Sequence, residues 1–162
     1  SEAEDWITEV WLSEKFGQPF HRKRVKLSSG GVFDFDAVSQ DGSVVASIST
    51  SSSHTASGKY GVGKMMKIRS DMFFLMLVSC KERLIVLTEK DMYDQCLKEK
   101  AGGRVPTIIE FIHAEIPTEL AERLTSSRAR ASTTSRIAGS TSAGTYRMTG
   151  PSGFRRGSGC RR

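Results

Sequence analysis

Apolar residues first recur at three- and four-residue intervals. Trp6, Ile7, Val10 and Trp11 share a stripe that Leu12 widens, which predicts an amphipathic helix over 4–16. Gly17 and Pro19 end it. The period then falls to two. Residues 20–27 predict a strand, with HRKRVKL at its centre, whose basic side chains suit an edge or a solvated face. Ser28-Ser29-Gly30-Gly31 predicts a turn. Strand alternation over 32–39 sends Val32, Asp34, Asp36 and Val38 one way and Phe33, Phe35 and Ala37 the other. Gln40-Asp41-Gly42-Ser43 leads into a strand over 44–50, and Asp-Gly between two such runs predicts a hairpin.

A polar loop follows over 50–58. Met65, Ile68, Met72 and Met76 predict a helix from near Lys59 to about Ser79. Residues 83–87 predict a short strand. Thr88 and Asp91 are spaced for a capping box, before a helix through Met92, Tyr93, Cys96 and Leu97 that stops at Gly102-Gly103. Residues 107–116 predict the last strand, Pro117 breaks it, and Thr118 caps a helix containing Leu120 and Leu124. Three short strands followed by alternating helices and strands predict an α/β domain, a mixed central sheet flanked by helices.

Composition divides the chain. Residues 1–124 hold nearly all the long apolar runs and predict one domain. Residues 125–162 are rich in Arg, Ser, Thr and Gly and predict a flexible, low-complexity tail. The whole chain carries +6, but the tail contributes eight arginines and no Asp, Glu or Lys, so the domain itself carries −2. Its basic pI therefore says little about the domain's partners. Cys80, Cys96 and Cys160 have neither metal-ligand nor disulfide spacing, which suits a reducing, cytoplasmic setting. No apolar run is long enough for a membrane span, and the acidic opening does not resemble a signal peptide.

Candidate chemistry begins with Asp34 and Asp36. Alternation puts them about 7 Å apart on one face of a strand. A paired-carboxylate face suits a hard divalent cation; it equally suits the solvated face of a sheet. Gly58, Gly61 and Gly63 make the SSSHTASGKYGVGK segment permissive enough for its N–H groups to converge on a phosphate, though it is not a Walker loop. Lys59, Lys64 and the exposed aromatic candidate Tyr60 accompany it. Arg22 and Arg24 in the first strand are further phosphate-contact candidates, or charges of a solvated edge. No Ser-His-Asp spacing stands out. Trp6, Trp11, Phe33 and Phe35 read as core.

The order helix, strand, Asp-bearing strand, turn, strand, helix, strand resembles the restriction-endonuclease-like superfamily, with its PD-(D/E)xK motif. The likeness covers residues 4–116 by element order. It implies that Asp36 matches the first catalytic Asp, with Asp34 as neighbour, and Glu14 or Glu9 an accessory carboxylate. The expected metal set is Asp36, Asp34 and Glu14, holding Mg²⁺. Where the family carries acidic-x-Lys, this chain has Ser47-Ile48-Ser49: the spacing survives and the charges do not. Lys64 could replace the missing lysine from the helix. The resemblance therefore implies a nucleic-acid-binding or regulatory domain, on DNA or RNA, with an incomplete catalytic set. A Mg²⁺-dependent phosphodiester hydrolase with migrated residues, and a protein-interaction domain, are the alternatives.

Overall fold

The computed structural model describes residues 1–139. The first helix is built in three joined pieces: α1 (Glu2–Trp6), a π-type turn (Ile7–Trp11) and α2 (Leu12–Phe16). Ser1 caps α1, and Glu4 closes the reciprocal capping box. Gly17 ends α2 in the left-handed region at φ 67°.

Strands β1 (Phe20–Lys26), β2 (Val32–Ser39) and β3 (Val44–Ser49) form an antiparallel meander. Helix α3 (Val62–Met76) carries the chain to β4 (Glu82–Leu87), and α4 (Lys90–Ala101) carries it to β5 (Ile109–His113). These last two strands run parallel to β3, giving one mixed sheet in the order β1-β2-β3-β4-β5. Helix α5 (Thr118–Gly139) follows.

Each face of the sheet has its own apolar core. Phe35, Val38, Val45, Ile85 and Leu87 meet Ile68, Met72 and Leu75 of α3 and Met92 and Cys96 of α4. On the opposite face, Phe20, Ala37, Ala46, Ile48, Leu84 and Val86 meet Ile7 and Leu12. Fully burying one large side chain such as Phe35 or Leu84 contributes about 1.5–3 kcal/mol. The buried carboxylates Asp71 and Glu99 are paired. Glu99 of α4 is bound by Arg69 of α3 and by Arg104, at 3.1 and 3.0 Å. Arg83 donates to the carbonyls of Leu75, Val78 and Cys80, closing the end of α3.

Several expected boundaries move. α3 starts at Val62, so Lys59 and Tyr60 belong to the loop before it. Thr88 does not cap α4: the cap position is Glu89, and the Thr88 hydroxyl is buried without a hydrogen-bond partner. Helix α5 runs through the expected boundary at 124 and 125, so the first part of the expected flexible tail is helical as far as Gly139. Hydroxyls of Thr125, Ser127, Thr133 and Thr134 bond back to carbonyls four residues earlier, which satisfies them inside the helix. The rest of that tail, 140–162, with Cys160, lies outside the described residues. No described helix is long and apolar enough to cross a membrane.

Candidate functional site

The alternation expected of β2 fails at one place. His21 pairs with Val38 and Lys23 with Phe35, so two steps of β1 span three of β2. The extra residue is a β-bulge at Asp36–Ala37. It turns Phe35 and Val38 into the same core and Ala37 into the opposite one. Asp34 and Asp36 therefore do not share a face with Val38.

At the bulge the sheet parts. β2 and β3 pair at Ala37–Ala46 and Val38–Val45, with no partners beyond on the Asp36 side. The next inward donor on β3, the Ile48 N–H, is taken by the Asp36 carboxylate at 2.8 Å. The side chain replaces a missing ladder bond across the fork. The Thr8 hydroxyl reaches the Asp36 carbonyl at 3.3 Å from the π-type turn. Burial pushes the Asp36 carboxyl above its ordinary range; the Ile48 N–H and the charge of Lys67 pull back, while Glu4 and Asp71 push further up. Asp36 opens on a shallow pocket of about 80 Å³, shared with Glu4, Thr8, Glu9, His21 and Arg22.

The other expected site residues scatter. Asp34 is exposed and held in a bidentate pair by Arg24, at 2.9 Å on both oxygens. That guanidinium keeps its carboxyl below the ordinary range. Glu14 is exposed and lines a separate groove beside Gly17 and Pro19. Among the described residues, no three His, Cys, Asp or Glu side chains come together to hold a metal ion. The expected Mg²⁺ set of Asp36, Asp34 and Glu14 is therefore corrected. One member is neutralised by arginine, one is in another groove, and one serves the backbone.

Ser47 and Ser49 are buried beside β4, opposite Ile85 and Leu87. The lysine whose charge bears on Asp36 is Lys67, itself bound to the buried Asp71 at 2.8 Å. Lys64 instead donates to the His54 carbonyl at 2.7 Å. The signal for Lys67 was its place one helical turn after Lys64.

The glycine-containing loop is not an open phosphate cradle. Its N–H groups are spent internally: Thr55 on Lys59, Gly58 on Thr55 and Gly61 on Ser53, at 2.7–2.9 Å. His54 and Tyr60 bridge across it. At Gly61 a Cβ would lie 2.9 Å from the Lys64 chain and 3.2 Å from the Ser53 carbonyl, so a side chain there would have to displace Lys64 and crowd the loop backbone. Asp91 of α4 anchors this loop. One oxygen accepts from the Ser52 hydroxyl at 2.6 Å and from the Ser53 N–H and hydroxyl at 2.9 and 2.7 Å. The other accepts from the Met92 N–H. Burial raises the Asp91 carboxyl, but the Ser52, Ser53 and His54 hydrogen bonds outweigh it and hold the group well below the ordinary range.

Serine, histidine and aspartate thus meet at Ser53, His54 and Asp91, which spacing alone did not suggest. The geometry is not that of a nucleophile. Ser53 gives its proton to Asp91 directly, and the imidazole is not interposed between them. With that proton committed, the 2.8 Å contact from Ser53 to His54 Nδ1 requires the Nδ1–H tautomer.

Basic residues gather on β1. Val25 and Leu27 turn into the α3-side core, so Arg22, Arg24 and Lys26 project from the other face of the strand, about 7 Å apart. Beyond Ala37, β1 and β2 form a two-stranded ribbon. Its underside is fixed by Phe33 stacked on Phe74 at 4.0 Å and by Ser28 N–H on the Leu77 carbonyl at 2.8 Å. Arg22, Lys23 and Lys26 are exposed and make no ion pair among the described residues. No protein-family model, curated protein or solved structure matches the chain.

Proposed function

We propose that this chain is a nucleic-acid-binding domain of restriction-endonuclease-like architecture that grips the phosphate backbone and does not depend on metal-assisted cleavage. The observation that carries this reading is the β1 ribbon. Arg22, Lys23 and Lys26 stand exposed and unpaired beside the fork where β2 and β3 separate. Unpaired Arg and Lys are the groups that contact phosphates. The element order of helix, three strands, helix and strand supports the architectural part. The fork agrees with it, since Asp36, the residue the resemblance matches to the family's first acidic residue, lies where β2 and β3 separate.

The side chains favour holding over cutting. Asp36 is committed to Ile48, and the second strand offers buried neutral serines. Neither supplies the charge a phosphoryl transition state requires. A protein-interaction role is the second reading, favoured by Val62, Met66, Phe73 and Met76, which leave an exposed apolar stripe on α3.

The test is fluorescence anisotropy of the full chain with labelled duplex DNA, single-stranded DNA and RNA, over a salt series. Three phosphate contacts predict a log–log slope of about −3, which replacing Arg22, Lys23 and Lys26 together by Ala removes. Unchanged binding in that variant overturns the reading. Absent binding to every substrate overturns it in favour of the protein partner.

A further inference from the structure

Helix α5 is two different helices joined end to end. Its first turns belong to the domain: Leu120, Ala121 and Leu124 are half-buried, and Arg123 pairs with Glu2 at 3.1 Å. From Thr125 to Thr134 every described side chain is exposed except Arg128. Arg128 pairs with Glu89 at 3.1 Å. After Glu122 the helix has no acidic residue, and its charges are Arg123, Arg128, Arg130 and Arg136.

A helix segment without an apolar face gains little from tertiary packing, which supplies most helical stability in water. Cations near a helix C-terminus gain a few tenths of a kcal/mol from the macrodipole, too little to order several turns. The hydroxyls of Thr125, Ser127, Thr133 and Thr134 are turned back to the backbone, which leaves the arginines as the charged groups this segment offers a partner. The complementary surface is a polyanion.

Position identifies which one. Glu89 follows β4, and Ser49 pairs with Leu87, so Arg128 is tied to the same end of the sheet as the fork. β2 is antiparallel to β3, so Asp34 and its partner Arg24 lie toward that end too. Two sets of cations thus border one sheet end, from β1 to β4 across three strand spacings, about 14 Å at sheet spacing. At 3.4 Å per step that matches roughly four base pairs.

We infer that the second half of α5, from Thr125 on, is a nucleic-acid-binding arm that grips the phosphate backbone at the same end of the sheet as the fork, across from the β1 ribbon. The inference rests on the reading proposed above and gives that binding a second, separable contact. DNA and RNA share the phosphodiester chemistry, and the probes distinguish them.

The experiment compares the full wild-type chain with Arg130→Glu/Arg136→Glu and with Arg22→Ala/Lys23→Ala/Lys26→Ala. Each is titrated with a 20-base-pair duplex, with matched single-stranded DNA and RNA, and with polyglutamate. Unchanged thermal midpoints establish that the variants are folded. The arm variant is expected to bind its preferred nucleic acid at least tenfold more weakly, with the salt slope reduced by about two. Far-UV circular dichroism is expected to gain helix signal when wild type binds, and less in the arm variant. Wild-type affinity in the arm variant, with loss in the ribbon variant, overturns the arm and leaves the domain reading intact. No binding by wild type overturns both. Equal wild-type affinity for polyglutamate reduces the arm to a nonspecific cationic patch and overturns it.

Discussion

Asp36 and Asp91 are both partly buried carboxylates next to a strand end, and they are used in opposite ways. Asp91 collects hydrogen bonds from Ser52, Ser53 and Met92, and these hold its charge in place. Asp36 accepts one backbone N–H, and burial, Glu4 and Asp71 work against its ionisation. A carboxylate that serves as an anchor is surrounded by donors. One left under-solvated at a fork carries a cost that persists where surrounding structure, or a role in function, maintains it. The loop end of the domain is thus built for rigidity, whereas the fork keeps a destabilising group.

The largest effect expected from this contrast is at the anchor. Asp91→Ala removes the acceptor from the Ser53 N–H and two serine hydroxyls. Charge-assisted hydrogen bonds contribute about 1.5–3 kcal/mol when buried. Because Asp91 is 39% exposed, the net loss is discounted to about 1–2 kcal/mol. Thermal denaturation should show a midpoint lower by roughly 3–8 °C. Hydrogen exchange should lose protection at the Ser53 and Gly61 amides. Its folded pKa lies below the ordinary value, so the stabilisation is present above about pH 4 and disappears as pH falls through the folded pKa. An unchanged midpoint at neutral pH would erase the contrast.

A smaller effect of opposite sign is expected at the fork. Asp36→Asn keeps an oxygen to accept from Ile48 and removes the charge that burial opposes. Stability at pH 7 should rise by about 0.5–1 kcal/mol in chemical denaturation. The folded pKa of Asp36 is raised, so the native carboxylate costs nothing at acidic pH, where it is protonated in both states. The gain should therefore be absent near pH 3, grow as pH rises above the unfolded-state value of about 4, and level off above the folded pKa. A loss of stability in Asp36→Asn at pH 7 would mean that the charge, too, is structural.

The two regions also differ in what their sequence reveals. Asp41-Gly42 announces the β2–β3 hairpin because only a few residue types suit that turn, and Gly42 takes φ 73°. The apolar periods announce α3 and α4, since burial follows the period. The bulge is silent: FDFDAVS alternates as well with the extra residue as without it, and that one residue turns Val38 away from the face of Asp34 and Asp36. The anchor is silent for another reason. Asp91 and Ser53 are 38 residues apart, and a capping box with Thr88 was the nearer local use for the same carboxylate. Local chemistry was legible where the sequence neighbours are also the spatial partners. It was not legible where a register choice or a distant contact decides.

The smallest expected effect is at Asp34, one of the two carboxylates that first suggested a metal. Arg24 and Asp34 meet in bidentate geometry but on open surface, with side chains 68% and 46% exposed. Water screens such a pair, so replacing either partner changes stability little. Asp34→Asn should leave the denaturation midpoint unchanged while releasing the Arg24 guanidinium, adding a cation to the row of Arg22 and Lys26. On the proposed function, its affinity for nucleic acid should rise modestly and its salt slope should steepen by up to about one. Stability and binding would then separate at one residue. Equal affinity and slope in Asp34→Asn would mean that the ribbon's outer face does not meet the phosphates, confining the contact to other cations.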